Sequence, residues 1–173
     1  MTDLYLASKS PRRRELLTQI GVQYHVLDVD VAEIRGGSES PIDYVSRLAC
    51  AKSQAGYDSL QARNLGKAPV LGADTVVVLG SDVLEKPCGK AEGMAMLSAL
   101  SGRAHKVVTA VAVTLAGRQA VRVSITEVCF RVLHDDEIER YWNTGEPQDK
   151  AGGYGIQGLA AVFVEKICGS YSG

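Results

Sequence analysis

Apolar residues run from Leu4 to Ala7 and stop at Ser8, the mark of a short buried strand. Ser10 and Pro11 then supply an N-cap residue and a proline suited to the first helical position. Arg13, Leu16, Leu17 and Ile20 recur at helical spacing, one face of a helix that Gly21 ends. Residues 21–30 read as a return strand, and the polar stretch from Glu33 to Ser40 as a loop. A second helix is predicted from Pro41 to Ala55, with Val45, Leu48, Ala49 and Lys52 on one stripe, where a lysine breaks the apolar pattern. Residues 58–68 have no periodicity and read as a mobile connection. Val70 to Leu79 is apolar apart from Gly72, Asp74 and Thr75, so it reads as a buried strand carrying one carboxylate.

Gly80, Ser81 and Asp82 turn the chain into a short strand over Val83 to Glu85. Lys86, Pro87 and Gly89 lead to a helix through Met94, Leu97 and Leu100 that Gly102 closes. Lys106 to Ala116 and Ala120 to Val132 flank Gly117, Arg118 and Gln119 as a long hairpin. Asp135, Asp136 and Glu137 suit the first turn of a helix through Ile138 and Trp142, with Gly145 after it. Residues 149–158 are glycine-dense, and Ala161 to Ile167 reads as a last strand. Strands and helices alternate irregularly and include a hairpin, without internal repeats. The expectation is an α/β fold, a mixed twisted sheet flanked by helices.

Length and composition narrow the functional classes. At 173 residues and 46% hydrophobic content the chain suits one compact domain over 1–173. A net charge of -1 argues against a surface that coats nucleic acid or anionic membrane, so an anionic ligand has to be held by a local group of cations. Cys50, Cys88, Cys129 and Cys168 form no CxxC pair, which removes zinc-knuckle and redox motifs and suits a reducing compartment. The opening residues lack a signal-peptide pattern, and no apolar stretch reaches the ~20 residues that span a bilayer. A cytoplasmic protein is expected.

Candidate chemistry gathers in five places. Ser8, Lys9, Ser10, Pro11, Arg12 and Arg13 lie where a strand turns into a helix. They suit a phosphate cradle, or an ordinary capped helix with solvated basic residues; Arg13 on the apolar face favours the cradle. Lys52 reads as a buried partner or as a lysine that snorkels to solvent. Asp74, among valines, has to be paired, metal-bound or shifted in pKa, or else it caps the turn after Gly72. Glu33 is a second carboxylate for a divalent ion, or simply exposed. Residues 149–158 allow close backbone approach to a ligand, and the Gln157 amide can read a base edge. This segment fits neither GxGxxG nor the Walker A pattern. Together these features suit hydrolysis of a phosphoanhydride.

In order along the chain, SxSPRR at Ser8 to Arg13, the Glu33 strand end, AxxK ending at Lys52, GADT at Gly72 to Thr75, EKP at Glu85 to Pro87 and DKAGxYGIQG ending at Gly158 resemble the Maf family of nucleotide pyrophosphatases. The resemblance runs from Leu4 to Tyr171. It implies an ITPase-like fold with a central nucleotide cleft, a homodimer, and a house-cleaning hydrolase of the nucleotide diphosphatase type that uses Mg²⁺ or Mn²⁺. It implies Asp74 as general base or metal-associated carboxylate, Glu33 as support for the metal, and Ser8, Arg13, Lys52 and Lys86 as holders of the triphosphate. Arg12, Thr75 and Gln157 match positions that the family uses to select the base. The SPRR form resembles the branch acting on dTTP and UTP, whereas a related branch preferring 7-methyl-GTP carries tryptophan in place of Arg12. The family continues past Gly169 to Tyr171 with a GLP-containing segment and a closing helix, absent from these 173 residues. The rival expectation is a non-catalytic nucleotide-binding regulator of cell division.

Overall fold

The computed structural model describes residues 4–65 and 67–173. Part of the N-terminal stretch read for a leader, and Gly66 of the predicted connection, lie outside the described residues. Among the described residues seven strands join in one mixed sheet of order β2-β1-β3-β5-β6-β7, with β4 paired to β3 off that path, and four α-helices accompany it. The strands are β1 Leu4–Ala7, β2 Tyr24–Val26, β3 Val70–Leu79, β4 Asp82–Leu84, β5 Ala104–Leu115, β6 Arg118–Phe130 and β7 Val164–Cys168. The helices are α1 Pro11–Gln19, α2 Pro41–Ala62, α3 Lys90–Leu100 and α4 Asp135–Trp142. The α/β expectation holds. By contacts the chain divides into two compact units: residues up to Asp74 with Thr109–Val123 and Ser172, and Thr75–Val108 with Ser124–Tyr171 and Gly173. No described helix is long and apolar enough to cross a membrane.

In the first unit β1 lies parallel to both β2 and β3, with Ala7 opposite Gly72. Ser40 caps α2 by accepting the Asp43 N–H at 3.1 Å. Val45, Leu48 and Ala49 are buried as the spacing predicts, and Tyr44 is buried beside them. The predicted end at Ala55 is wrong. Gly56 lies inside the helix, where a Cβ would stand 2.7 Å from Val70 Cγ1 and 3.0 Å from Ala7 Cβ. Close packing, not helix termination, explains that glycine, and the helix continues through buried Tyr57 and Leu60 to Ala62. Residues 58–62 are therefore helix rather than connection. The other differences are local. The return strand shrinks to Tyr24–Val26, and α1 buries its residues only in part, with the next residue, Ile20, 72% exposed. The hairpin turns at Ala116 and Gly117, whose φ values of 49° and 76° are those of a two-residue type I′ turn, so β6 starts at Arg118 and not after Gln119.

In the second unit α3 and α4 meet at Gly93, where any side chain would run into the Trp142 ring. Leu97, Leu100, Phe130, Ile138, Tyr141, Tyr154 and Phe163 form the core. The Glu137 carboxylate accepts the His134 N–H at 3.0 Å at the start of α4. Ala161 to Phe163, read as strand, belong to a 3₁₀ turn over Leu159–Phe163, and β7 begins only at Val164.

His105 is sealed in this core, edge-on to Phe130 and 2.7 Å from the Tyr154 hydroxyl through Nε2. Burial pulls its pKa down to about 4. The unfolded chain takes up the proton near pH 6.5, so this contribution to stability is complete at neutral pH and is lost as pH falls from 6.5 to 4. The expected loss is about 3 kcal/mol. Urea unfolding at pH 7 and pH 4 measures it, and His105→Gln should remove that part of the difference between the two curves.

Candidate functional site

Gly72 sets the geometry of the first unit's polar centre. A Cβ there would lie 2.5 Å from both Ala49 O and Ser53 N, so β3 passes directly against the α2 backbone on either side of Lys52. The hairpin fastens the same stretch of α2. Gln119 Nε2 donates to Cys50 O at 3.0 Å and to Thr114 Oγ1 at 2.9 Å, and the Ser53 and Thr114 hydroxyls share a 2.8 Å bond. From this fixed backbone Lys52 Nζ donates to Asp74 Oδ1 and to Glu33 Oε1, each at 2.6 Å. Lys52 is not snorkelling: its side chain is 12% exposed, like the 11% of Asp74. Glu33 arrives on a loop anchored to α2, where Arg47 Nη2 donates to Ile34 O at 2.9 Å and Arg47 Nε to Glu39 Oε1 at 2.7 Å.

Arg13 completes the group. Ser8 follows β1, and Arg13 sits in the first turn of α1, so a strand end and a helix start meet there. Ser8 Oγ accepts from Arg13 Nη1 at 3.1 Å and from Ser10 N–H at 3.2 Å, a use of Ser8 in place of the Ser10 side-chain cap expected for α1. Burial lowers the Arg13 pKa, opposed by attraction to Asp74 and Glu33. Burial also raises the Asp74 carboxyl above its ordinary value, opposed by Lys52 and Arg13 and aided by Glu33. Ser8, Arg13, Glu33, Lys52 and Asp74 are thus brought together, two cations facing two carboxylates. Arg12 pairs along its own helix, with Nη1 3.1 Å from Glu15, and its Nε is buried without a hydrogen-bond partner among the described residues.

The donor set fits a hard divalent cation. Mg²⁺ typically binds through one or two carboxylates and completes its shell with phosphate oxygens and water, and Glu33 and Asp74 supply two carboxylates within reach of one ammonium. No cluster of three or more His, Cys, Asp or Glu suited to a metal occurs among the described residues. Because the four charges balance, this group gains little attraction for a polyphosphate until a further cation joins it.

Thr75, Lys86 and Gln157 belong to the second unit. Gly152 N–H donates to Glu85 O at 3.0 Å, which joins the EKP segment to the glycine segment. Gly152, Gly155 and Gly158 serve the protein's own packing, where the sequence reading had only room for a ligand. A Cβ at Gly152, whose φ is +68°, would meet Val77 Cγ2 at 2.8 Å, and one at Gly158 would stand 2.5 Å from Glu146 Oε1. Gln157 Nε2 donates to the Tyr171 carbonyl. Glu146 escaped sequence analysis, since its partners are mostly backbone N–H groups that no motif records.

Comparison with known proteins finds a family match over nearly the whole chain. The Maf family profile, described as Maf-like protein, matches residues 3–173. A dTTP/UTP pyrophosphatase of Saccharophagus degradans is 58% identical over 98% of this chain and 80% of that protein. One from Alkalilimnicola ehrlichii is 57% identical over 98% and 84%, and one from Aliivibrio fischeri 49% over 97% and 88%.

Proposed function

The chain belongs to the Maf family, and from that premise we propose that it is a nucleoside triphosphate pyrophosphatase that cuts dTTP and UTP between the α and β phosphates. The observation that carries the proposal is Asp74, a carboxylate buried in a strand and held beside Lys52 and Arg13. A buried base of raised pKa is matched to removing a proton from water near neutral pH. Asp74 takes that proton as the water oxygen bonds to the α phosphorus. The bond from the α phosphorus to the bridging oxygen breaks, and its electron pair leaves with pyrophosphate. Arg13, Lys52 and Lys86 stabilise the charge on the leaving group, with Ser8 orienting Arg13. Mg²⁺ or Mn²⁺, held by Glu33 and Asp74, would neutralise phosphate oxygens when bound. Lys52 has to loosen its hold on one carboxylate to admit that cation.

Gln157, with Arg12 and Thr75, is proposed to select the base. With Nε2 given to the Tyr171 carbonyl, Gln157 offers Oε1, an acceptor suited to the N3–H of thymine or uracil. Cytosine presents an acceptor at that position. CTP is therefore expected to show a kcat/KM roughly 10- to 100-fold below that of UTP. We also propose a cytoplasmic homodimer, which light scattering tests; four free thiols suit that compartment.

A panel of nucleoside triphosphates with Mg²⁺, Mn²⁺ or chelator, scored for pyrophosphate and orthophosphate, tests the whole reading. Pyrophosphate as the first product from dTTP and UTP is expected, lost with chelator. Orthophosphate first would move cleavage to the terminal phosphate, and binding without turnover would indicate a sensor.

A further inference from the structure

The segment that carries Gln157 is gripped at two points by one pair of side chains. Tyr141, near the end of α4 and 5% exposed, accepts the Gly155 N–H on its hydroxyl at 3.1 Å. The same hydroxyl donates to Glu146 Oε1 at 2.8 Å. Glu146 then accepts the Leu159 N–H on Oε2 at 2.9 Å, with Ala160 N 3.4 Å from Oε1. Gln157 lies midway between Gly155 and Leu159, so both flanks of its turn are tied to one tyrosine–carboxylate unit.

Three further contacts show a built grip. A Cβ at Gly158 would stand 2.5 Å from Glu146 Oε1, so the glycine is what lets the carboxylate reach the turn. Lys150 Nζ donates to the Glu146 carbonyl at 3.1 Å, while its stem fills the space beside Gly155, where a Cβ would meet Lys150 Cε at 2.8 Å. Tyr141 is itself seated edge-on against Phe163 with ring centroids 5.1 Å apart. A turn with a half-buried amide at its tip has few contacts of its own to hold its shape, and backbone N–H bonds to a carboxylate are among the stronger ones available.

We propose that Tyr141 and Glu146 are positioning residues for base selection: they hold the Gly155 to Leu159 turn so that Gln157 meets the pyrimidine edge in one orientation. This inference rests on the proposed role of Gln157. It assigns Tyr141 and Glu146 no contact with the nucleotide, and no part in the phosphate chemistry of Arg13, Lys52 and Asp74.

The test compares Glu146→Ala, Glu146→Gln and Tyr141→Phe with Gln157→Ala, using UTP, CTP and inorganic tripolyphosphate with Mg²⁺. Glu146→Ala is expected to raise KM for UTP roughly 10- to 100-fold, to change kcat much less, and to bring the UTP and CTP efficiencies together. Glu146→Gln, which keeps one acceptor oxygen, should fall between Glu146→Ala and the parent, and Tyr141→Phe should shift the ratio in the same direction. Competitive inhibition by tripolyphosphate should stay within about threefold of the parent, because the phosphate side is untouched. If Gln157→Ala collapses the UTP to CTP ratio while the Glu146 and Tyr141 variants keep it, the positioning role is wrong and the Gln157 reading stands. If Gln157→Ala leaves the ratio intact, base selection by Gln157 fails and the inference falls with it. Equal loss of UTP and tripolyphosphate affinity in folded Tyr141→Phe would make the pair a general structural support and overturn the proposal.

Discussion

Asp74→Asn is expected to lower kcat by roughly 10³-fold, the range of a lost general base, while KM for dTTP or UTP at saturating Mg²⁺ stays within about threefold. Asparagine keeps the size of the side chain and an acceptor for Lys52, but it cannot take a proton from water. It also removes one negative charge from a group in which Arg13 and Lys52 face Glu33 and Asp74, so the electrostatic cost of bringing in a polyphosphate does not rise. The same substitution separates function from structure. Burial raises the Asp74 pKa despite two neighbouring cations, so at neutral pH its charge is held at a cost to the fold. The melting temperature of Asp74→Asn should therefore equal or exceed that of the parent. If Asp74 instead capped the turn after Gly72, melting would fall and turnover would survive.

The pH dependence follows from the same shift. The base works deprotonated, so kcat/KM, which reports the free enzyme, should rise with pH along an acid limb set by Asp74 and level off above it, burial moving that limb up and a divalent cation at Asp74 moving it down. Lys52→Met removes the strongest influence that opposes burial, and the limb should move to still higher pH as kcat falls. An acid limb unmoved in Lys52→Met would separate the titrating group from Asp74.

The centre of the site was legible because its residues contradict their surroundings. A lysine on an apolar helix stripe and an aspartate amid valines each call for a polar partner, and Lys52 and Asp74 meet at 2.6 Å. Strand β3 was legible for the same reason, since ten mostly apolar residues admit few alternatives. Glu33 carried no such signal: an acidic residue before a polar loop is ordinary until its ion pair with Lys52 is known. Glycines misled in the 149–158 segment, because a sequence does not distinguish a glycine that leaves room for a ligand from one that lets two of the protein's own surfaces touch. The second helix, expected to end at Ala55, instead continues through Gly56, which is a contact with Val70 and Ala7. Gly152 and Gly158 were read as room for a ligand and are room for Val77 and Glu146. The 3₁₀ turn at Leu159–Phe163 stayed hidden because Ala161 to Ile167 is apolar throughout, which suits a buried turn as well as a strand.

Gly72→Ala should damage stability and turnover together. Its Cβ would enter 2.5 Å from two backbone atoms, Ala49 O and Ser53 N, and no flexible side chain can give way. Neither partner is free to retreat. Strand β3 is held by its parallel pairing with β1, where Gly72 faces Ala7, and α2 is held by fully buried Val45, Leu48 and Ala49. Overpacking of this kind costs about 1–3 kcal/mol, which for a chain of this size lowers the melting temperature by roughly 2 to 12 °C. What relaxation there is has to shift the α2 backbone at Lys52 away from β3, and with it the ammonium that bridges Asp74 and Glu33. A displacement of about 1 Å in such a group is enough for a loss near 10²-fold in kcat. Gly37→Ala is the control, since a Cβ there meets nothing within 4 Å, and it should match the parent in both measurements. Calorimetry and pyrophosphate release on the same preparations decide the matter. A Gly72→Ala protein that melts lower yet turns over at the parental rate below its transition would mean that the close approach of β3 and α2 supports the fold without setting the position of Lys52.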